Sequence, residues 1–274
     1  MDEKARMDTQ RDFSGPLAQG RTAELYPWEE GWVIKLFYDW FDRRAVEHEA
    51  RVAKAVRGSG LPVPDVGPMV QVNGRCGLVY QRVDGAAMFR ALARKPWRLF
   101  FYARRMAELH AQMHAVSAPP GLPPQRQRLA DKIAGAGALP SGLRERALAA
   151  LQSLPEGRQL CHGDFHPDNI LITAKGEVII DWIDAVSGNP LADLARTTVI
   201  LLGAAESSQT INRGEKGFVR LFHRAYLRWY FRLRPGGRDE YLRWLPVTAA
   251  ARLSEGITEV ERWLLSQAEI GLAA

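Results

Sequence analysis

The sequence has little cysteine and no long apolar run, and each absence excludes a class of protein. Its two cysteines, Cys76 and Cys161, lie far apart, which excludes a disulfide scaffold and matches no metal-binding spacing. No apolar stretch approaches the ~18 residues that a membrane-spanning helix needs. The charged beginning MDEKARMDTQRDF also lacks the apolar core of a secretory signal. We therefore expect a cytoplasmic protein without a membrane span.

The 274 residues carry a net charge of +6, and the excess is concentrated in one region. Residues 213–243 contain nine Lys or Arg against three Asp or Glu, and Arg220, Arg224, Arg228 and Arg232 recur every fourth position. Such spacing puts the four arginines on one face of a helix. A solvated face is the simplest interpretation; a surface for an anionic substrate, nucleic acid or membrane lipid is the alternative. No zinc-finger or RNA-binding signature accompanies the basic stretch, so nucleic acid is not an expected partner.

Hydrophobic periodicity changes along the chain from strand-like to helical. The early part reads as strands and one helix, with an Asn-Gly hairpin in MVQVNGRCGLVYQRV. From about residue 88 the pattern is helical, apart from a second hairpin in NILITAKGEVIIDW and a Pro- and Gly-rich segment at 117–142, which we interpret as a loop with at most one short helix. The sequence therefore predicts an α+β fold, with a small sheet-rich part followed by a larger helical part.

Lys35 lies in the apolar strand WVIKLFY and needs a partner if it is buried. The next helix, FDRRAVEHEARVAKAVRG, has an apolar stripe, and Glu49 falls on that stripe whereas Glu47 points away from it. A Lys35–Glu49 ion pair would satisfy both groups and present an ammonium group to phosphate oxygens. A purely structural salt bridge is the alternative. Gly20 precedes this strand, where backbone N–H groups could approach phosphates, although the segment lacks a full G-x-G-x-x-G or Walker A motif and a plain hairpin turn is the simpler interpretation.

The polar stretch HGDFHPDN at 162–169 and the later VIID hold oxygen-bearing side chains at suggestive positions. Asp181 closes an apolar strand, and Asn169 could supply a second oxygen; Mg²⁺ prefers a few such ligands together with substrate phosphates. Asp164 would remain free to orient and deprotonate a hydroxyl group. Positioning, a metal and a base are what phosphoryl transfer requires.

Five segments in order, VIKLF, GLVYQRVDG, HGDFHPDN, IIDW and GNPLADLAR, resemble the aminoglycoside phosphotransferase and choline-kinase-like families, which share the protein-kinase fold. The resemblance spans roughly residues 13–265. It implies an N-terminal nucleotide-binding lobe with the hinge at 1–83 and a C-terminal helical lobe with the catalytic loop and acceptor site at 84–274. It also implies ATP or GTP and Mg²⁺ as cofactors.

The resemblance further implies a role for each matched residue. Asp164 would be the catalytic base, and His162 would orient its loop. Asn169 and Asp181 would be metal ligands. Lys35, Glu49 and Gly20 would bind the nucleotide, with Gln81 and Val83 at its adenine. Asp193 would support the catalytic loop.

Only eleven residues separate Asp181 from Asp193, which leaves little room for the activation segment that presents a peptide to a protein kinase. A small-molecule hydroxyl is therefore the expected acceptor. Because the chain is basic, a neutral or anionic acceptor suits it better than a polycationic aminoglycoside. The alternatives are an aminoglycoside O-phosphotransferase, a nucleotide-binding pseudokinase or adaptor, and a basic protein that binds nucleic acid or a membrane surface through 213–243.

Overall fold

The computed structural model describes residues 8–207 and 211–272. The chain forms two compact units: the first comprises residues 1–86 and 170–183, and the second comprises residues 87–169 and 184–274. The first is built on an antiparallel sheet and the second is mostly helical. The predicted α+β fold class is thus confirmed.

The first unit contains a six-stranded sheet with the order β1-β5-β6-β4-β3-β2. All neighbours pair antiparallel except β1 and β5, which are parallel. Its strands are β1 Asp8–Thr9, β2 Ala18–Gln19, β3 Ala23–Pro27, β4 Trp32–Phe37, β5 Val66–Val72 and β6 Arg75–Gln81. Within the segment FSGPLAQG, the strand β2 consists of Ala18 and Gln19, which pair with β3.

Alternation along β4 places apolar side chains on both faces of the sheet. Phe37 packs with Val46 and Ala50 of helix α1, which runs Arg43–Arg57. Ile34 and Leu36 pack in a second cluster on the other face. Lys35 lies on the same face as Phe37, so the alternation directs it toward α1.

Local signals explain where several of these elements begin and end. The Asp42 side chain caps α1 by accepting a hydrogen bond from the backbone N–H of Arg44. Asn73 and Gly74, with φ of 50° and 79°, form the tight turn between β5 and β6, the conformation that an Asn-Gly hairpin requires. A further antiparallel hairpin, β9 Ile170–Thr173 and β10 Gly176–Ile179, belongs to the first unit. Both predicted hairpins are confirmed.

The second unit is a helical assembly in which α3 packs against α7, while α6 packs against α8 and α9. Its helices are α2 Met88–Arg94, α3 Leu99–Met113, α4 Gln125–Gly135, α5 Ser141–Ser153, α6 Pro190–Ser207, α7 Arg213–Leu233, α8 Arg238–Arg252 and α9 Thr258–Gly271. Its short strands β8 Gln159–Cys161 and β11 Val186–Gly188 pair with each other. Strand β7, Ala86–Ala87, lies at the chain position where the first unit ends and the second begins. Among the described residues, no helix is both long and apolar enough to cross a bilayer.

The prediction of a loop at 117–142 was partly wrong. This segment contains the whole of α4 and the start of α5. Its prolines flank the helices instead of interrupting them, with Pro124 directly before α4 and Pro140 directly before α5. Proline is tolerated at such positions because the first turn of a helix leaves its N–H groups without an intrahelical partner.

Candidate active site

In the first unit, Lys35 lies between two carboxylates. Its ammonium nitrogen is 2.9 and 3.1 Å from the two carboxylate oxygens of Glu49 and 3.3 Å from Oδ1 of Asp181. The Tyr80 hydroxyl donates to the same Glu49 at 2.8 Å. Glu49 is only 2% exposed, so these donors compensate the loss of its hydration. The sheet, α1 and the segment after β10 therefore converge on one charged cluster.

The cluster keeps Lys35 charged. Burial alone would lower the pKa of its ammonium group, but the negative charges of Asp181 and Glu49 outweigh burial and raise the pKa above its ordinary value. Burial and the neighbouring Glu49 also raise the pKa of Tyr80, which keeps its proton. The result is a fixed, protonated ammonium group beside a carboxylate.

Asp181 has an unusual backbone conformation. Its φ of 64° lies in the left-handed region, where few residues other than glycine are found. Its side chain remains 42% exposed, so one carboxylate oxygen can contact Lys35 while the group stays accessible. Strained backbone of this kind persists where the surrounding structure enforces it, often at functional sites.

The other predicted nucleotide-binding residues lie at the edges of the same sheet. Gly20 is in the turn between β2 and β3, where its N–H donates to the carbonyl of Ala23. Gln81 ends β6, and its N–H donates to the carbonyl of Asp65. Val83 follows two residues later. The N–H of Arg82 donates to the carbonyl of Gly31, so the N–H groups of both Gln81 and Arg82 are already engaged.

In the second unit, the carboxylate of Asp193 holds the beginning of the 162–169 loop. The backbone N–H groups of His162 and Gly163 donate to its two oxygens at 2.8 Å each. Gly163 has φ 79°, and a Cβ atom there would lie 2.3 Å from the carbonyl oxygen of Asp184. Only glycine fits at this position, because any other residue would be both strained and in collision.

Two buried histidines complete the surroundings of Asp193, and the sequence predictions missed both. Nε2 of His110 and of His114 lie 3.0 and 3.2 Å from Oδ2 of Asp193. Since an ionised carboxylate can only accept, each ring donates from Nε2 and accepts at Nδ1 from the hydroxyl of Tyr226 or Tyr230. The available signal was their spacing of four at the C-terminal end of α3, where His110 lies on the buried face and His114 is the C-cap.

Burial holds both histidines neutral. It lowers the pKa of His110 to about 4, with a further contribution from His114, and it also lowers the pKa of His114. Burial would raise the pKa of Asp193, yet the hydrogen bonds from the two rings outweigh it and hold that pKa well below its ordinary value. The ligand atoms of the three residues lie within 4.8 Å of one another, but each of them already makes a hydrogen bond. This cluster is a hydrogen-bonded support of the loop.

Asp164 and Asn169 are brought together at the end of the loop. The Asn169 amide nitrogen donates to the backbone carbonyl of Asp164 at 2.8 Å and lies 3.3 Å from its carboxylate. Among the described residues, the amide oxygen of Asn169 has no hydrogen-bond partner, so it could coordinate a cation. The five-residue spacing thus places an acceptor carboxylate and a potential metal-binding oxygen side by side.

Positive groups keep Asp164 ionised. Burial would raise its pKa, but the hydrogen bond with His166 and the charges of Arg196, His166 and His162 together lower the pKa below its ordinary value. Nε2 of His166 is 3.3 Å, and Arg196 3.6 Å, from its carboxylate. Arg196 also donates to the carbonyl of Gly163 and is itself paired with Glu255 at 2.5 Å. Asp164 is therefore suited to accept and orient a hydroxyl group.

A cavity of about 40 Å³ in the second unit adjoins Gly163, the residue before Asp164. Its lining includes two acidic residues, Asp184 and Asp193, and both carboxylate oxygens of Asp193 already accept hydrogen bonds. Four cationic side chains also line it: Arg128, Lys132, Arg196 and Arg252. Glu255 and Asp184 bridge these cations, and Arg196 also lies 3.6 Å from Asp164. The four cations are therefore matched by four carboxylates, those of Asp164, Asp184, Asp193 and Glu255.

A family model described as the phosphotransferase enzyme family matches residues 21–250. The match covers most of the chain, which therefore belongs to this family and is a phosphotransferase. The predicted family resemblance is confirmed. A search of curated proteins returned no match.

Several solved structures share the fold. An aminoglycoside phosphotransferase, APH(4)-Ia, solved with ADP and hygromycin B, aligns with a TM-score of 0.61 and 16% identity over 96% of this chain and 93% of that one. The amicoumacin kinase hAmiN, in complex with AMP-PNP, Ca²⁺ and Ami, aligns with a TM-score of 0.61 and 15% identity over 94% of this chain and 87% of that one. The macrolide 2'-phosphotransferase MphH from Brachybacterium faecium aligns with a TM-score of 0.52 and 19% identity over 90% of this chain and 88% of that one. At identities this low, the likeness shows the fold alone.

Proposed function

We propose that the protein transfers the γ-phosphoryl group of ATP, or GTP, in a Mg²⁺-dependent reaction to a hydroxyl group of a small molecule that is neutral or anionic. The observation that carries the proposal is the pairing of Asp164 with Asn169, which sets an ionised carboxylate beside an amide oxygen. Phosphoryl transfer needs such a base together with metal-held phosphates.

The first unit would bind the nucleotide. The charged ammonium group of Lys35, held by Glu49, would contact phosphate oxygens. The turn at Gly20 would cover the phosphates with backbone N–H groups, and the chain from Gln81 to Val83 would meet the base. The relatives solved with ADP or AMP-PNP support a purine nucleotide as the donor.

Mg²⁺ would be held by the Asp181 carboxylate and the Asn169 amide oxygen. Both are hard oxygen ligands, and Mg²⁺ typically takes one or two of these from the protein and the rest from phosphates and water. The observed orientations fit this role, because Asn169 uses its nitrogen for Asp164 and Asp181 remains accessible. When bound, the ion would neutralise charge on the transferring phosphates.

Asp164 would orient the acceptor hydroxyl and take its proton. A carboxylate with a lowered pKa is a weak base, so its main contribution would be positioning until the proton is lost late in the transfer. Asp193 would hold the loop rigid through the backbone of His162 and Gly163.

Charge bears on the class of acceptor. The chain carries a net charge of +6, and the cations Arg128 and Lys132 near Gly163 are each paired with Asp184. A carboxylate or phosphate group on an acceptor could compete with Asp184 for these cations, whereas a positive chain disfavours a polycation. This charge supports a neutral or anionic acceptor.

The test is a nucleotide-consumption screen over three groups of hydroxyl compounds: anionic, neutral and aminoglycoside, with Asp164→Ala as the blank. We expect acceptor-dependent ADP release with anionic or neutral compounds only, and an increased KM for anionic acceptors in Arg128→Gln and Lys132→Gln. Turnover confined to aminoglycosides would overturn the acceptor class. Nucleotide binding without transfer to any acceptor would indicate a pseudokinase.

A further inference from the structure

Three aromatic side chains at the start of α3 face outward. Trp97, Phe100 and Phe101 are 75%, 60% and 45% exposed. The 3₁₀ turn Pro96–Arg98 leads directly into α3, so positions 97, 100 and 101 share one helical face. The opposite face supplies the core through Leu99, Tyr102, Ala103 and Met106. The outward aromatic side chains are therefore not needed to bury this helix.

The segment that carries these rings is rich in cationic side chains. Residues 88–113 contain six Lys or Arg and one acidic residue, Glu108, which gives a net charge of +5. Glu108 is already paired with Arg104 and Arg105. Arg98 lies with its guanidinium 4.1 Å from the ring centre of Phe101. The exposed aromatic side chains thus belong to a strongly basic segment.

Helix α7 extends the same surface. It packs against α3, and its Trp229 ring lies 4.9 Å from the guanidinium of Arg104 and 5.4 Å from that of Arg232. Arg228 and Arg232 are exposed on α7. We call the surface formed by the outward side chains of 94–104 and of Arg228 and Arg232 the aromatic–arginine face.

We propose that the aromatic–arginine face docks on the surface of an anionic lipid bilayer. Trp and Phe side chains partition into the interfacial region, and arginines extend their charged ends to lipid phosphates while their stems lie along apolar surface. Positive charge beside such an apolar stripe attracts anionic headgroups within a Debye length. The helix would lie in the plane of the interface, with Trp97 and Phe100 inserted.

Two other occupants fit the face less well. A second copy of this chain would bring two surfaces of the same positive charge together, which is unfavourable. A single-stranded nucleic acid would stack its bases on aromatic rings, but guanidinium groups already cover a face of Phe101 and of Trp229. A bilayer needs only the protruding rings and the cations.

The experiment is flotation of the full chain with phosphatidylcholine vesicles, with and without phosphatidylglycerol. We expect binding only to the mixed vesicles, with affinity falling as salt is raised. The double variant Trp97→Ser/Phe100→Ser should weaken binding by at least about tenfold, and Arg94→Glu/Lys95→Glu should abolish it. The control Leu242→Ser/Ile270→Ser removes exposed apolar side chains from α8 and α9 and should bind like the original chain.

Circular dichroism and thermal unfolding establish that each variant is folded. Equal binding to both vesicle types, or unchanged binding by Trp97→Ser/Phe100→Ser, would overturn the proposal. The proposal would also be overturned if the original chain did not bind vesicles but instead formed a dimer or bound a single-stranded oligonucleotide, and if Trp97→Ser/Phe100→Ser abolished that dimerisation or binding.

Discussion

The ammonium group of Lys35 lies 3.3 Å from the carboxylate of Asp181, a residue 146 positions further along the chain. The same ammonium group binds Glu49 at 2.9 Å. One cation thus contacts both the carboxylate that anchors it and the carboxylate proposed to hold a metal.

Replacing Lys35 by Met should weaken Mg-nucleotide binding and also lower stability by about 1–3 kcal/mol, because buried Glu49 would lose its charged partner. In a double-mutant cycle with Glu49→Gln, calorimetric binding losses should be clearly less than additive. Additive losses would mean that the two residues act independently.

Asp164→Asn should reduce phosphoryl transfer by about 10²–10⁴-fold, since the amide cannot accept the hydroxyl proton. Mg-nucleotide affinity should change little. Asp168→Asn, four residues away in the same loop, is the matched control and should transfer at close to the original rate. An Asp164→Asn protein with undiminished kcat would remove Asp164 from the role of base.

Asp181→Ala and Asp181→Gly should both lose the Mg²⁺ dependence of nucleotide binding. They should differ in stability, because φ at this position is 64°. Glycine accepts that conformation without strain, so the Gly variant should unfold about 1 kcal/mol less readily than the Ala variant. Urea denaturation of the pair isolates the backbone effect, and equal stability would show that the conformation relaxes.

Gly163→Ala should be more destabilising than Gly121→Ala. Both glycines have positive φ, 79° and 91°, but a Cβ atom would meet the Asp184 carbonyl only at position 163. The difference between the two variants measures the collision, which we expect to exceed about 1 kcal/mol. Turnover should also fall in Gly163→Ala, since this residue directly precedes Asp164.

Stability should fall as the pH drops below about 6.5. Burial lowers the pKa of His110 and of His223 to about 4, so between pH 6.5 and 4 the unfolded chain binds more protons than the folded one. Each histidine should therefore remove up to about 1.4 kcal/mol of unfolding free energy per pH unit in that window. Urea unfolding at pH 7 and pH 5 measures the slope, and His223→Asn should reduce it. A flat profile would contradict these shifts.

Local patterns predicted much of the candidate site. Strand alternation and helical period directed Lys35 and Glu49 toward each other, and the two form an ion pair at 2.9 Å. The Asn-Gly pair predicted a hairpin that is present. The spacing of Asp164 and Asn169 kept both within one loop. These features depend on residues that are close in sequence, or on the face of a strand or helix that a fixed period specifies. They can therefore be predicted from the sequence alone.

Tertiary packing decided the rest. His110 and His114 read as members of an apolar helix, and only the packing of α3, α6 and α7 brings them to Asp193, about 80 positions away. The cations around the cavity come from α4, α6 and α8, and the outward direction of Trp97 depends on which face of α3 is buried. The sequence by itself determined the family and the α+β class, and it put Asp164 and Asn169 in one loop. Which distant side chains support that loop was decided by burial, because periodicity specifies the apolar face of an element but not its partner.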